Sequence, residues 1–95
     1  MTIKCVGFGN ATSLSTSSAI NLPGLPAGTT GVQNTIVAVE GAAIRWRADG
    51  ADPTSSVGMP VQAGQTFAYI GDPGTVRVIG QTSGAAISCS YHVGR

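Results

Sequence analysis

Charged side chains are scarce in this chain of 95 residues: Asp, Glu, Lys and Arg make up 9% of it, and the formal net charge is +1. Ordinary soluble domains carry about 25% charged residues. A nucleic-acid-binding protein needs a clustered basic surface to replace phosphate counterions, so we expect no nucleic-acid partner. The low content of Glu, Lys and Arg also excludes a coiled coil or a charge-rich helical bundle.

Long apolar segments are missing as well. No run of about 18 apolar residues occurs, which excludes a transmembrane helix, and we expect no membrane partner. The first residues lack the basic and apolar segments of a secretory signal peptide, so we expect synthesis in a cytoplasm. The length fits a single domain that spans residues 1–95.

Cysteine, a common residue of metal and redox sites, is also rare. Cys5 and Cys89 stand near opposite ends of the chain, and no C-x-x-C pair is present. We expect both cysteines to be buried and reduced. A disulfide is the alternative if the first and last strands are neighbours, because the two sulfur atoms could then be close.

Candidates for catalysis are equally few. A nucleophilic triad would have to use His92, the single histidine, which has no acidic residue near it in the sequence. Asp49, Asp52 and Asp72 each stand beside a glycine or a proline, as turn residues do. We therefore expect no enzyme, no cofactor and no metal ion.

Helical periodicity is absent, and the pattern that is present belongs to an all-β protein. Alternating or β-branched apolar segments recur roughly every 8–12 residues between Gly- and Pro-containing turns, which is typical of an antiparallel sandwich, a jelly roll or a small barrel. We predict a small, jelly-roll-like antiparallel β-sandwich. Its strands are predicted over residues 3–8, 35–40, 43–48, 66–70, 75–79 and 85–91, with a short edge strand over 19–22.

Residues 10–31 differ in character from the rest of the chain because they are rich in Ser, Thr, Gly and Pro. An irregular segment of this length inside a compact domain usually has a function or is disordered. We predict a loop or an arm that lies along a neighbouring molecule, with Ile20, Leu22 and Leu25 as its apolar anchors.

The triplet Arg45-Trp46-Arg47 is distinctive in a chain with so little charge. Strict alternation places Trp46 on the same face as Ile44, towards the core, and it places Arg45 and Arg47 outwards. The two arginines are candidates for ion pairs with another subunit. The alternative for Trp46 is a platform for a carbohydrate or a cation.

The low charge also bears on association. Interface cores are depleted in charge, and oligomerisation covers exposed sheet edges, so the composition favours a homo-oligomer. An ordinary Thr-rich β domain is the alternative.

Several segments resemble short β-rich proteins encoded by tailed bacteriophages. The resemblance spans about residues 34–92 and is carried by residues 40–50, 52–61, 63–64, 69–72, 76–79 and 87–91. It implies a virion structural protein made in the host cytoplasm and located on the capsid surface. In particular it implies a decoration or cement protein, a trimer at quasi-threefold positions, whose partner is the major capsid protein. A carbohydrate- or protein-binding β-module of a tail or fibre, using Trp46 and Tyr69, is the second hypothesis, and a small hydrolase is the third.

Overall fold

Alternation of apolar and polar residues produces the predicted strands. The computed structural model describes residues 3–24 and 32–94, and none of these residues forms an α-helix. The strands are β1 (Ile3–Ala11), β2 (Ile20–Asn21), β3 (Val32–Glu40), β4 (Ile44–Arg47), β5 (Met59–Val61), β6 (Thr66–Ile70), β7 (Arg77–Gly80) and β8 (Ala86–Gly94), with one 3-10 turn at Pro73–Thr75.

The strands form two antiparallel sheets with jelly-roll connectivity. The first sheet has the order β1-β8-β3-β6, and the second has the order β2-β7-β4-β5. The chain is equivalent to one long hairpin that is rolled into two sheets, because its strands pair as β1·β8, β2·β7, β3·β6 and β4·β5. The structure therefore confirms the predicted small all-β sandwich.

The inner faces of both sheets supply the hydrophobic core. Ile87, Cys89 and Tyr91 of β8 share the inner face and are buried, as alternation predicts, and so are Val76, just before β7, and Val78 of β7. Thr35 is the buried polar residue among this apolar set. Successive side chains of a strand point to opposite faces of the sheet, so the residues between these inward-facing ones face away from the core.

The two cysteines are free, as predicted from the sequence. β1 and β8 are neighbours, but the register places Cys5 opposite His92 and Cys89 opposite Gly9. Cys89 is buried, whereas the prediction of a buried Cys5 is wrong because this residue is exposed on the outside of the sheet. A register shift in β1 follows Cys5, and such a local irregularity is not encoded in simple alternation.

The described part of the predicted loop or arm, residues 10–24, packs on its own domain. The Leu14 N–H donates to Ala85 O and the Gly80 N–H donates to Ser15 O, both at 2.9 Å. Leu22, predicted as an anchor to a neighbour, lies in this chain's own core. Ile20 pairs with β7 in β2 and packs against the core, and Leu25 lies outside the described residues. A small domain uses these apolar side chains itself because it has few others to bury.

The buried thiol of Cys89 predicts a loss of stability at alkaline pH. Burial raises the pKa of Cys89 from 9.0 to about 11, and burial likewise raises the pKa of Tyr91. The unfolded chain then loses its thiol proton at lower pH than the folded chain, so stability is complete below about pH 9 and falls as the pH rises towards 11. We expect Cys89 to account for about 2 kcal/mol of this loss by pH 11.

Urea unfolding between pH 8 and pH 11 measures this loss, with the Cys89→Ala variant as the control. The variant is less stable at every pH because it leaves a small cavity, but its stability should depend less steeply on pH. Equal pH dependence of the two proteins would contradict the assignment to Cys89.

Candidate functional site

The central part of the outer side of the first sheet carries no charged side chain, and the exposed Glu40, opposite Ala86 at the end of β3, lies beyond it on the same side. This central part consists of twelve side chains in three rows, each row crossing all four strands, and none of the twelve is Lys, Arg, Asp or Glu. We call this set the outer face. Its rows, read from β1 to β6, are Cys5, His92, Asn34 and Ile70; Phe8, Ser90, Ile36 and Ala68; and Asn10, Ser88, Ala38 and Thr66.

Three large apolar side chains project from the outer face. Phe8 is 66% exposed, Ile36 is 46% exposed and Ile70 is 78% exposed. Adjacent strands lie about 4.8 Å apart, so Phe8 and Ile36, which flank Ser90 in one row, are about 10 Å apart. Small polar or apolar residues fill the positions between them. Such a contiguous uncharged surface with apolar side chains is typical of an interaction site.

The outer side of the second sheet differs, because the loop after β4 is hydrogen-bonded to it. Arg45 donates from Nε to Ser55 O at 3.2 Å and from Nη1 to Gly58 O at 2.9 Å. These bonds hold residues 55–58 over β4. Ile79, which pairs with Arg45 on this face, is buried although it points away from the first sheet. In the described part of the chain, the sandwich therefore has one covered and one uncovered outer face.

The candidate interface residues Arg45 and Arg47 both bind within their own chain. Arg47 donates from Nε to Asp49 Oδ1 at 3.0 Å and forms an ion pair with the same carboxylate. This hydrogen bond and the positive charge lower the pKa of the Asp49 carboxyl. The two arginines point outwards as predicted, but the chain itself supplies the acceptors that we expected from another subunit.

Arg77 is a residue that local sequence patterns do not single out. Its guanidinium donates to Asp52 Oδ1 and Asn21 Oδ1 at 2.8 Å and to Ala19 O at 3.1 Å. It thereby joins β7 to the edge strand β2 and to the loop after β4. These partners are far from Arg77 in the sequence, so no short motif reveals them.

Trp46 lines a shallow pocket at one end of the sandwich. Its ring stacks on Phe67 with a centroid distance of 4.9 Å and meets the edge of Tyr69 at 5.9 Å. Trp46 is half-buried and packs against the core, so the predicted inward orientation is correct. The pocket has a volume of about 270 Å³ and is lined by Trp46, Arg47, Ala48, Asp49, Gly58 and Met59.

Three polar groups of the outer face form a short chain of contacts. Ser90 Oγ lies 3.5 Å from Cys5 Sγ and 3.2 Å from His92 Nε2. The two contacts satisfy the hydrogen-bonding capacity of the Ser90 hydroxyl.

No group of three or more His, Cys, Asp and Glu side chains in residues 3–24 and 32–94 could hold a metal ion. The same residues contain no helix that is long and apolar enough to cross a membrane.

Comparison of the chain with models of known protein families, and with curated proteins, finds no match. Among the described residues, the outer face and the Trp46 pocket are the surfaces that support a functional argument.

Proposed function

We propose that this protein is a non-enzymatic structural protein of a phage virion that binds the assembled major capsid shell as a decoration or cement protein. The observation that carries this proposal is the outer face, where Phe8, Ile36 and Ile70 are exposed among side chains that carry no charge, with Glu40 at the margin of the sheet. Interfaces between proteins are depleted in charge at their centres and enriched in aromatic side chains. The phage resemblance of residues 34–92 suggests the shell as the partner.

Stabilisation of the shell follows from mass action. A protein that binds an assembled lattice, but not its separate subunits, shifts the equilibrium towards the lattice in proportion to its occupancy. A rigid, preformed sheet loses little conformational entropy on docking, which favours binding. Many identical lattice positions would each take one outer face, so the copy number per particle should be high.

The proposal is tested by measuring whether this protein binds to purified virions of the tailed phage that encodes it. Co-sedimentation should recover the protein with the particles, and quantitative mass spectrometry should count hundreds of copies per particle. A few copies would favour a tail or fibre, and no copies would contradict the proposal.

The contribution of the outer face is tested with the Phe8→Ser variant. Phe8 is 66% exposed, so the variant should fold normally and its affinity for the shell should fall at least about tenfold, which is a typical loss for an apolar interface residue. Val57→Ser is the matched control, because Val57 is 51% exposed but lies in the loop that covers the second sheet, outside the Trp46 pocket. Equal loss of binding in both variants, or in neither, would contradict docking through the outer face.

A second candidate function is favoured by the pocket at Trp46. Aromatic rings with neighbouring polar groups bind sugars, and here the Arg47–Asp49 pair lies on the pocket lining beside the indole ring. A carbohydrate-binding module of a tail or fibre would use this pocket. Titration with a panel of neutral oligosaccharides, followed by fluorescence of Trp46, the single tryptophan, tests it. Absence of any binding at millimolar ligand would reject this function.

Trp46→Ala separates the structural role of this ring from a binding role. Because Trp46 stacks on Phe67 and packs against the core, we expect the variant to lose about 2–4 kcal/mol of unfolding free energy. Trp46→Phe, which keeps an aromatic ring in the stack, should lose less than half as much. Thermal melts followed by circular dichroism measure both, and an Ala variant as stable as the original protein would show that the ring contributes only to the pocket.

A further inference from the structure

β6 lies at the edge of the first sheet, and β3 is its hydrogen-bonded neighbour. It contributes five consecutive residues, Thr66–Ile70, without a charge, a proline or a register shift. Thr, Phe, Tyr and Ile favour extended backbone, so the strand is well formed up to its free edge. An edge strand of this kind is a template for pairing with another strand.

The other three edges are less suited to pairing. β1 contains a register shift between Cys5 and Gly7, and β2 has only two residues. β5 has three residues, and its central residue is Pro60, which has no N–H to donate. Short strands, proline and bulges are the usual means by which proteins block edge pairing. Among the described strands, β6 is the edge that carries none of these features.

The hydrogen bonds to β3 show which backbone groups face the free edge. Val39 N–H donates to Gln65 O at 2.9 Å and Val39 O accepts from Gly64 N–H at 2.7 Å, so both polar groups of Val39 point towards β6. Alternation along β3 gives Val37 and Thr35 the same direction, and their partners in β6 are Phe67 and Tyr69. The N–H and C=O groups of Thr66, Ala68 and Ile70 therefore point away from β3, towards the free edge.

We propose that this free edge pairs with β6 of a second copy of the chain, antiparallel and centred on Ala68. A twofold axis at Ala68 places Ala68 opposite its own copy and Thr66 opposite Ile70. These are the residues whose backbone groups point outwards, so each outward N–H meets an outward C=O of the partner. The same register places Phe67 opposite Tyr69 on the inner side of the sheet.

Self-pairing fits this strand better than pairing with a foreign strand. Alanine at the axis lets two identical side chains face each other without a clash. No like charges oppose each other, because Thr66–Ile70 contains no charged residue, and aromatic cross-strand pairs such as Phe67 with Tyr69 are favourable. Ile70, which is 78% exposed, would pack beside Thr66 of the second copy.

Pairing has a consequence for the outer face. The row that contains Phe8, Ser90, Ile36 and Ala68 would continue into the same row of the second copy, so the two outer faces would form one surface of eight strands. The association itself needs no shell protein. It is a twofold dimer, whereas the phage resemblance implies a trimer, so the two predictions differ in mass.

Sedimentation equilibrium on the free protein tests the pairing. We expect a mass twice the 9.5 kDa of one chain at micromolar to submillimolar concentration. A mass of one chain throughout this range would overturn the proposal, and a mass of three chains would do so in favour of the trimer. Neither result would bear on shell binding through Phe8, which is measured separately on particles.

Ala68→Pro tests whether the edge of β6 is the contact. Proline removes an N–H that points away from β3, so the domain should still fold. Two hydrogen bonds across the axis are lost, each worth about a fivefold factor, and we expect the dimer dissociation constant to rise at least about 20-fold. Ala63→Pro is the matched control: it lies in the turn from Gln62 to Gln65, at the position that favours proline, and should leave the dimer unchanged.

Cysteine cross-linking tests the register. In a Cys5→Ser background, Ala68→Cys should form an intermolecular disulfide with diamide as the oxidant, because directly opposed hydrogen-bonded residues have Cα atoms about 5.5 Å apart. Ile70→Cys is the control, since its sulfur would face Thr66 of the partner and lie about 13 Å along the strand from its own copy. Cross-linking of Ile70→Cys but not of Ala68→Cys, or of neither, would overturn the register centred on Ala68.

Discussion

Gly9→Val is expected to lower the free energy of unfolding by about 4 kcal/mol or more. A Cβ atom at Gly9 would lie 2.6 Å from the Cα atom of Gly24 and 2.6 Å from the carbonyl oxygen of Pro23. Both contacts are with backbone, which cannot rotate away as a flexible side chain can. Overpacking typically costs 1–3 kcal/mol where side chains can adjust, and here β1 and the segment after β2 would have to separate.

The fluorescence of Trp46 during urea unfolding measures this loss. A domain of this size has about 5–15 kcal/mol of stability in total, so Gly9→Val should be largely unfolded at low denaturant concentration. Gly84→Ala is the control: Gly84 has φ +92 with nothing within 4 Å of an added Cβ, so it reports backbone strain alone, about 1–2 kcal/mol. A Gly9 variant no less stable than this control would show that the two segments can move apart easily.

Tyr91→Ala is expected to lose about 3–5 kcal/mol of unfolding free energy. The Tyr91 side chain is the largest that is fully buried among the described residues, and its removal leaves a cavity between the sheets. Its hydroxyl also donates to the carbonyl oxygen of Pro23, which ties the end of the segment after β2 to β8. The variant therefore loses both packing and the attachment of this segment.

Tyr91→Phe isolates the hydrogen bond from the packing. It keeps the ring and removes the donor to Pro23 O, so we expect a loss of about 1–2 kcal/mol. Tyr69→Phe is the matched control, because the Tyr69 hydroxyl makes a longer contact of 3.4 Å with Thr75 Oγ1 on an exposed part of the molecule. Chemical denaturation of the three variants should rank Tyr91→Ala, Tyr91→Phe and Tyr69→Phe in order of decreasing loss. Near-equal stability of the two phenylalanine variants would show that the bond to Pro23 contributes little.

Gly9 and Tyr91 act on the same place in the fold. Pro23 and Gly24 pass against β1 at Gly9 and are held to β8 through Tyr91. The segment that composition marked as a loop or arm is thus attached to the domain as far as Gly24. Backbone contact at a glycine and one tyrosine hydroxyl supply this attachment, and neither feature stands out in the amino-acid sequence.

The positions and orientation of most strands could be predicted from the sequence alone. Ile87, Cys89 and Tyr91 alternate with serines and all three face the core, and Val76 and Val78 do the same around Arg77. Glycine and proline between these segments marked the turns. These features are local, because the direction of a side chain in a strand depends only on its parity along that strand.

Tertiary structure alone decided which residues meet. The order of the strands placed Phe8, Ile36 and Ile70 together on the outer face, and strand pairing left the edge of β6 open while other edges are short or interrupted. It also gave Arg45 its acceptors in the following loop and moved Leu22 into the core. These contacts join residues that are distant in the sequence, and alternation carries no information about which strand becomes the neighbour of another. That choice depends on how the strands together bury their apolar faces and satisfy their backbone hydrogen bonds.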